Sequence, residues 1–320
     1  MKKTNPLISV IIPCYNAERF VEKAVRSIME QTYHNLEIIC CDDCSSDSTL
    51  AILKKLSAED ERIQIIKHSE NKQLIYTLNE LVEIAGGEYI ARMDADDISL
   101  PERIEKQLDF MQKNPEIDFC GCNAWHINEN DKVIGKSTLP ESYDDIKFFL
   151  PFYSTFYHPT VFAKAAVLKE NPYDKEFLHA EDYELWCRLI FEKGLRGANL
   201  KYKMLFYRFN IHGTSFQNIQ KQADMSAHIF DIYRLVPYKY LSEHKNYMFR
   251  QNEHVQRKNQ KEYLKYCFKI LKKQKINYTI IPLMKLLRQL RRNNDYKYII
   301  YIICSFRGII SFFVLVKGKI

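Results

Sequence analysis

Short apolar, β-rich runs alternate with helical patterns through the first hundred residues, and this alternation constrains the fold more than any other feature. The predicted strands lie at Ile8–Ile12, Glu37–Cys41, Ile63–Lys67 and Glu88–Met93. Apolar residues at helical spacing fill the intervals between them. Such βαβ units build a largely parallel sheet flanked by helices, so the sequence predicts an α/β fold. A chain of 320 residues, 46% of them hydrophobic, is long enough to bury a full core.

Signals for helix ends mark the intervals between these strands. Asp47 is placed to cap the second helix with its carboxylate, and a third helix ends at Gly86-Gly87. The run Ser99-Leu-Pro-Glu102 combines a capping box with a proline in the first turn, so we expect a helix to begin there. Farther along, the pattern indicates a strand near 119–127 and a helix from about 181 to 193.

The placement of glycine excludes two nucleotide-binding classes. The chain has nine glycines, and the first of them is Gly86. P-loop NTPases and dinucleotide-binding Rossmann proteins hold phosphates with a glycine-rich turn after the first strand, where this chain has Pro13–Ala17. A nucleotidyltransferase would also need a basic, glycine-rich loop there to hold a triphosphate, so the lack of one disfavours this class. It stays as an alternative enzyme class. A non-catalytic scaffold or sugar-binding protein is the alternative outside enzymes.

Charge divides the chain into an acidic front and a basic rear. Residues 1–200 hold 23 Lys and Arg against 34 Asp and Glu, whereas residues 201–320 hold 24 against 6. The basic, Ile-rich rear predicts peripheral contact with an anionic membrane, and a solvated basic face packed on the rest of the protein is the alternative. The apolar run 299–316 carries Arg307 at its centre, which favours an interfacial or packed segment over a membrane span. No nucleic-acid-binding motif accompanies the charge, so we expect no nucleic acid partner.

Cysteine usage and the first residues indicate the compartment. Nine cysteines, an odd number lying mostly in apolar runs, provide no disulfide framework, which favours a reducing environment. Met1–Pro6 leads directly into the first strand without the apolar core of a signal peptide. We therefore expect a cytoplasmic protein. The pairs Cys41/Cys44 and Cys120/Cys122 are interpreted as buried or half-buried thiols, because their spacing does not favour a four-thiol zinc site.

Chemically active side chains follow three of the predicted strands. In an open parallel sheet, ligands bind at the carboxyl ends of the strands. Hard carboxylate oxygens at such an edge suit Mg²⁺ or Mn²⁺, which bridge to substrate phosphates. The residues at these strand ends are Pro13, Tyr15, Asp42, Asp43, Arg92, Asp94, Asp96 and Asp97.

Four runs with these residues resemble glycosyltransferase family 2 in their order and spacing. The runs are Ser9–Asn16, Asp42–Thr49, Gly87–Asp97 and Ala180–Trp186, and the resemblance covers about residues 7–215. It implies a GT-A fold with a Rossmann-like, mostly parallel sheet flanked by helices. It also implies a nucleotide-diphosphate sugar donor, a divalent metal and inversion at the anomeric carbon.

The resemblance assigns roles to particular residues. Asp42 matches the acid that reads the nucleotide base, with Pro13 and Tyr15 lining the same pocket. Asp94 and Asp96 match the DXD motif, which touches the ribose and holds the metal on the diphosphate, and Arg92 stands beside them in the donor site. Asp182 matches the general base, which a hydroxyl nucleophile needs as it attacks. His212 matches a histidine that completes the metal shell or contacts phosphate.

Each assignment has a plainer alternative. The DXD run can be a solvated turn with capping duties, and Glu181-Asp182 can be first-turn acids that complement a helix dipole. His212 can be an ordinary loop histidine, and His158 is interpreted as structural or part of an acceptor loop. Relatives usually have Gly where this chain has Cys44 and Gln73, so we expect the loops near the nucleotide to differ in conformation.

A narrower resemblance concerns the donor and acceptor. Three segments resemble those of bacterial β-1,3-N-acetylglucosaminyltransferases of lipooligosaccharide synthesis. They are Phe148–Phe152, His158–Thr160 and Tyr207–His212. This resemblance implies a UDP-linked donor such as UDP-GlcNAc and a saccharide or lipid-linked glycan acceptor in cell-surface glycan synthesis. The expected organisation is a catalytic domain over 1–215, with a nucleotide-sugar half (1–116) and an acceptor half (117–215), followed by a helical, basic C-terminal extension over 216–320.

Overall fold

The computed structural model describes residues 5–150, 153–210 and 218–233. The chain forms two compact units, 1–150 with 154–218 and 151–153 with 219–320. The predicted apolar run 299–316 and His212 lie outside the described residues. Within the described part of the chain, no helix combines the length and the hydropathy that a membrane crossing requires.

The strands and helices follow the predicted alternation. The strands are β1 (Ile8–Cys14), β2 (Leu36–Asp42), β3 (Ile63–Lys67), β4 (Tyr89–Arg92), β5 (Ile98–Ser99), β6 (Phe119–Ile127), β7 (Val133–Lys136), β8 (Phe162–Lys164) and β9 (Gly197–Arg208). The helices are α1 (Val21–Met29), α2 (Thr49–Glu59), α3 (Leu74–Ile84), α4 (Arg103–Lys113), α5 (Tyr143–Phe149), α6 (Ala165–Lys169), α7 (Glu181–Cys187) and α8 (Ile219–Tyr233). A π-helical segment, Arg188–Glu192, continues α7.

The described strands form one nine-stranded sheet with two differently built halves. The strand order is β3-β2-β1-β4-β8-β6-β9-β5, and β7 pairs with β6. Strands β3, β2, β1 and β4 pair in parallel and are called here the parallel half. In the mixed half, β8 is antiparallel to β4 and β6, whereas β9 is parallel to β6 and antiparallel to β5. The predicted parallel arrangement therefore holds over residues 8–92, and later strands add antiparallel pairs.

Burial on both faces explains why β1 and β2 read as continuous apolar runs. Ile11 and Ile39 are completely buried, as expected of a sheet that carries helices on its faces. The entry into β4 is equally close-packed, because a Cβ at Gly87 would lie 2.6 Å from the Ser9 backbone nitrogen. A side chain at that position would push β4 away from β1, so only glycine fits there.

The structure tests two of the predicted helix starts. Asp47 does serve α2, since its Oδ1 accepts from the Thr49 N–H at 3.0 Å. The predicted capping box at Ser99 is wrong: α4 begins at Arg103, Glu102 makes no side-chain cap, and Gln31 Oε1 accepts from the Ile104 N–H at 3.1 Å instead. Ser99 instead belongs to β5, where it pairs with Leu205. Long-range strand pairing thus overrides the local capping signal.

Candidate active site

The loops that follow β1 and β2 are tied together by hydrogen bonds. Asn16, which has a φ of 46°, accepts from the Ser46 N–H at 2.9 Å through its side-chain oxygen. The Glu18 N–H donates to Asp47 Oδ2 at 3.0 Å. Because the backbone of one loop is bound by side chains of the other, the ends of the two strands are held as one structure.

Asp42 carries a buried carboxylate. It ends β2 and pairs in register with Cys14, the last residue of β1. Its exposed fraction is 1%, and neither carboxylate oxygen has a hydrogen-bond partner among the described residues. An unsatisfied buried charge is costly, so this carboxylate is suited to accept hydrogen bonds from a ligand. Pro13, on β1, is half-buried, and Tyr15, just after β1, is 52% exposed.

Asp43 fixes the loop that leads into α3. Its carboxylate accepts from the N–H groups of Lys72 at 2.8 Å and Gln73 at 2.9 Å. Gln73 and Cys44, the two positions where relatives usually carry glycine, have φ values of 70° and 60°. Both backbones thus keep the left-handed conformation that glycine favours, although neither residue is glycine.

A group of carboxylates follows β4. Oxygens of Asp94, Asp96 and Asp97 lie within 4.8 Å of one another. Asp94 forms an ion pair with the buried Arg92, whose Nη1 is 2.5 Å from Asp94 Oδ2. Burial and the neighbouring charge of Asp94 raise the pKa of Asp96 to about 7, although Arg208 and Arg92 oppose the shift. The site thus gathers three acidic side chains at one strand end, as the sequence predicts.

This group fits a hard divalent cation. Its potential ligands are oxygens, which are the ligands that Mg²⁺ and Mn²⁺ prefer, and neither thiol nor imidazole belongs to the group. One oxygen of Asp97, a 1% exposed residue, has no hydrogen-bond partner among the described residues. Crowded carboxylates repel each other, and a bound cation relieves that repulsion. The predicted ligand His212 lies outside the described residues, so its role stays a prediction.

Arg208, at the end of β9, holds the carboxylate loop in place. Its N–H donates to Asp97 Oδ1 at 2.7 Å, and its Nε donates to the Asp96 carbonyl at 2.6 Å. The same guanidinium donates to the Asn128 carbonyl at 2.8 Å and lies 2.6 Å from Asp131 Oδ1. Arg208 therefore connects the loop after β4 to the turn between β6 and β7.

Glu181 and Asp182 open α7 near a buried hydrogen-bonded pair. The Tyr173 hydroxyl lies 2.8 Å from His158 Nε2, and both residues are buried. Burial raises the pKa of Tyr173, Arg92 opposes the shift, and Asp182 adds to it. Burial and the charge of Asp182 also raise the pKa of Glu181 to about 7. The charge of the predicted base, Asp182, thus acts on both Tyr173 and Glu181.

Two buried groups respond to the charges of the predicted acids. The pKa of the Cys14 thiol is raised by burial first and then by neighbouring charges that include Asp42 and Asp94. The pKa of Tyr173 is raised by burial and by charges that include Asp182 and Asp94. Asp94 is common to both sets, and the parallel pairing of β1 with β2 and with β4 places the carboxyl ends of β2 and β4 on either side of the end of β1.

Sequence reasoning assigned no role to Arg208 or Tyr173. Arg208 stands within a recognised run, but its function depends on the pairing of β9 with β6 and β5, which no local pattern shows. Tyr173 is fixed by Asn79 of α3, whose side chain exchanges two hydrogen bonds with the Tyr173 backbone. The thiols Cys41, Cys120 and Cys122 are free and buried, as interpreted from the sequence, and Cys44 is half-buried.

Comparison with known proteins identifies a family and several relatives of this chain. The model of the family described as Glycosyl transferase family 2 matches residues 9–173. A glycosyltransferase of Haemophilus influenzae is 34% identical over 224 residues, which are 67% of this chain and 68% of that protein. The Escherichia coli protein WfgD, a UDP-Glc:alpha-D-GlcNAc-diphosphoundecaprenol beta-1,3-glucosyltransferase, is 30% identical over 225 residues, or 68% of this chain and 85% of its own length.

A solved structure shares the fold. The mannosyltransferase PcManGT of Pyrobaculum calidifontis, solved with GDP-Man and Mn²⁺, aligns with a TM-score of 0.58 at 15% identity, covering 95% of this chain and 87% of its own. The predicted GT-A fold is thereby confirmed. With the family match over residues 9–173 and the relatives above, the chain belongs to glycosyltransferase family 2.

Proposed function

We propose that this protein is an inverting, metal-dependent glycosyltransferase that moves a hexose or N-acetylhexosamine from a nucleotide-diphosphate sugar to a saccharide acceptor. The observation that carries the proposal is the group of Asp94, Asp96 and Asp97 after β4, together with the buried carboxylate of Asp42 at the end of β2. The donor is UDP-linked, with UDP-GlcNAc as the first candidate, because the narrower resemblance points to that class. Asp42, buried and without a hydrogen-bond partner in the part of the chain that the structure describes, is suited to accept from the N–H of a uracil base.

The carboxylates after β4 hold the diphosphate end of the donor in this proposal. Asp94 and Asp96 are the metal ligands, with His212 as a third, and Asp94 also faces the ribose. A bound Mn²⁺ or Mg²⁺ neutralises the departing diphosphate. Arg92 fixes Asp94 by its 2.5 Å ion pair, and Arg208 fixes the Asp96 carbonyl, so the ligands are preorganised.

Asp182 acts as the general base. The acceptor hydroxyl loses its proton as its oxygen attacks the anomeric carbon, and the Asp182 carboxylate accepts that proton. Attack on the side opposite the leaving diphosphate inverts the anomeric configuration in a single displacement. The buried pair of Tyr173 and His158 supports the loop that precedes α7.

The test is an assay of nucleoside diphosphate release with a panel of UDP-, GDP- and TDP-linked sugars. We expect turnover with one UDP-sugar, loss of turnover in chelator and recovery with Mn²⁺ or Mg²⁺. Asp96→Ala should abolish this recovery, whereas Asp109→Ala, in an i,i+4 ion pair on α4, should preserve it. Metal-independent turnover in both variants would refute the proposed chemistry.

The product belongs to cell-surface glycan synthesis, and the acceptor is a saccharide or lipid-linked glycan. WfgD, as its name states, transfers glucose to a sugar on diphosphoundecaprenol. An acceptor of that kind lies in a membrane, which agrees with the basic C-terminal sequence. We therefore place the enzyme in the cytoplasm, peripherally on the inner face of the cell membrane.

Replacing four basic residues in the full-length chain tests this location. Anionic vesicles should retain the wild type in sedimentation and should lose a variant with Lys285, Arg288, Arg291 and Arg292 changed to Gln. Neutral vesicles provide the control, because the proposed attraction is electrostatic. Equal sedimentation of the two proteins with anionic vesicles would exclude a contribution of these residues.

A further inference from the structure

A second group of metal-binding side chains lies apart from the carboxylates after β4. Cys41 of β2, His68 just after β3 and Glu80 of α3 place their ligand atoms within 4.8 Å of one another. His68 Nε2 is 3.4 Å from Cys41 Sγ and 2.5 Å from Glu80 Oε2. Three separate elements of the fold thus bring a thiol, an imidazole and a carboxylate together.

The other nitrogen of His68 has a carboxylate partner. His68 Nδ1 lies 2.6 Å from Asp43 Oδ1, and Asp43 is itself fixed by the N–H groups of Lys72 and Gln73. A carboxylate in this position selects the tautomer of a metal-binding histidine and turns its free nitrogen toward the ion. The group therefore has an outer partner as well as three potential ligands.

We propose that Cys41, His68 and Glu80 bind a divalent transition metal ion, with Zn²⁺ the best match to the donor set. A thiolate, an imidazole and a carboxylate are the ligands that zinc takes in proteins, and water completes a site with three protein ligands. This donor set differs from the all-oxygen group after β4, which suits Mg²⁺ or Mn²⁺. The two groups therefore select different metals within one domain.

The spacing agrees with a site that closes around an ion. Tetrahedral zinc with bonds of about 2.0–2.3 Å separates its ligand atoms by roughly 3.3–3.6 Å. Cys41 Sγ is 3.4 Å from His68 Nε2 and 4.0 Å from Nδ1, so the sulfur lies beside the ring, and both Cys41 and Glu80 must shift for an ion to meet the Nε2 lone pair. The Glu80 side chain is 31% exposed, whereas that of His68 is 3% exposed, which gives Glu80 room to move and the ion a path of entry.

The local charge also favours a cation. The carboxylates of Asp43 and Glu80 face His68, and Lys72 supplies a nearby positive charge. The Cys41 thiol would release its proton as it binds the ion.

Cys44 is the matched control for this group. The sequence pairs Cys44 with Cys41, but its thiol lies 3.5 Å from the Ser69 carbonyl and does not belong to the group. The Cys44→Ser variant therefore removes a neighbouring thiol and leaves the proposed ligands in place. Asp96→Ala serves as a second control, because it alters the all-oxygen group and not this one.

Cobalt is the probe for the test, since Co²⁺ occupies zinc sites and gives an intense sulfur-to-metal absorption band when a thiolate binds it. Full-length, chelator-treated protein is titrated with Co²⁺ and then with Zn²⁺. We expect a saturable band that Zn²⁺ removes, that persists in Cys44→Ser and Asp96→Ala, and that disappears in Cys41→Ser. Glu80→Gln, on a partly exposed side chain, should fold normally and bind Co²⁺ at least about 10-fold more weakly.

Circular dichroism of each metal-free variant separates a lost ligand from a lost fold. If Cys41→Ser is unfolded, the Glu80→Gln titration decides the question. A wild type without the band, or a band of unchanged midpoint in Glu80→Gln, would overturn the proposal. His68 would then be an imidazolium held between Asp43 and Glu80 without a metal. Neither readout depends on glycosyltransferase turnover, so the test is independent of the proposed function.

Discussion

The parallel half and the mixed half of the sheet prepare the site in different ways. In the parallel half, the strand ends themselves carry the chemistry, since Asp42 ends β2 and Arg92 ends β4. In the mixed half, the relevant side chains come from loops and helix starts, and long-range hydrogen bonds hold them. Arg208 on β9 illustrates this, because it binds the loop after β4 and the turn after β6. The first half thus positions its groups by topology, and the second by individual contacts.

This contrast predicts that single substitutions are most severe where the mixed half supplies the chemistry. Asp182→Asn keeps the shape of the side chain and removes its ability to accept a proton. We expect kcat to fall by about 10²–10⁴-fold, the usual contribution of a general base, while KM for the donor changes little. Steady-state kinetics with a saturating acceptor measures both. A kcat within tenfold of wild type would assign the base to another residue.

Arg208 is the next most sensitive position. Arg208→Lys keeps the charge but loses the planar fork that binds Asp96 and Asn128 simultaneously. A displacement of about 1 Å at the carboxylate loop costs roughly 100-fold in rate, so we expect a loss of that size in kcat/KM. Arg19→Lys, on a surface ion pair with Glu129, is the matched control and should keep near wild-type kinetics. Equal kinetics for the two variants would remove the positioning role.

A substitution at Asp42 tests whether a strand end of the parallel half binds the donor. Asp42→Asn has the same size but cannot accept hydrogen bonds with both oxygens. A hydrogen bond to a charged partner contributes about 1.5–3 kcal/mol, so we expect donor affinity to fall by roughly 10- to 100-fold. Calorimetric titration with UDP measures this directly. Wild-type affinity in this variant would show that the buried carboxylate does not read the base.

The raised pKa of Glu181 predicts that the stability difference between wild type and Glu181→Gln depends on pH. Its pKa of about 7 in the folded protein exceeds the value of about 4.3 for an unfolded chain, so stability falls as pH rises between these values. Glu181→Gln lacks this penalty. The melting temperature of the variant should therefore exceed that of wild type by a few degrees near pH 8, with little difference near pH 4, as scanning calorimetry can measure. A constant difference across this range would contradict the assignment.

The smallest expected effect concerns Gln73, where the parallel half carries backbone strain. Gln73→Gly relieves a left-handed φ of 70° and should stabilise the protein by about 1 kcal/mol in chemical denaturation. Gln73→Ala, which retains the strain, is the matched control. If glycine and alanine give equal stability, the backbone at this position is not strained.

The strands and site residues of the parallel half could be predicted because local sequence patterns determine them. Buried strands read as apolar runs, and topology brings their ends together, so Asp42, Arg92, Asp94 and Asp96 could be placed in advance. The mixed half was less predictable. Ser99 carries a capping signal, yet antiparallel pairing with Leu205 places it in a strand.

The group around His68 was hidden for a similar reason. Nothing in the sequence indicates that His68 meets Cys41 of β2 and Glu80 of α3, because their approach follows from the pairing of β2 with β3 and the packing of α3. The nearest visible pattern, Cys41 with Cys44, pointed to a different pair. Contacts of this kind depend on distances between elements, which residue spacing does not encode.

Ionic strength acts unevenly on the contacts that join the two halves. Arg19 pairs with Glu129, and Lys23 pairs with Asp131, but the two basic side chains are 54% and 62% exposed. Dissolved salt screens such pairs, whereas the buried Arg208 is shielded from it. High salt would therefore weaken the two exposed ion pairs of the turn after β6 first, while Arg208 continues to hold the carboxylate loop.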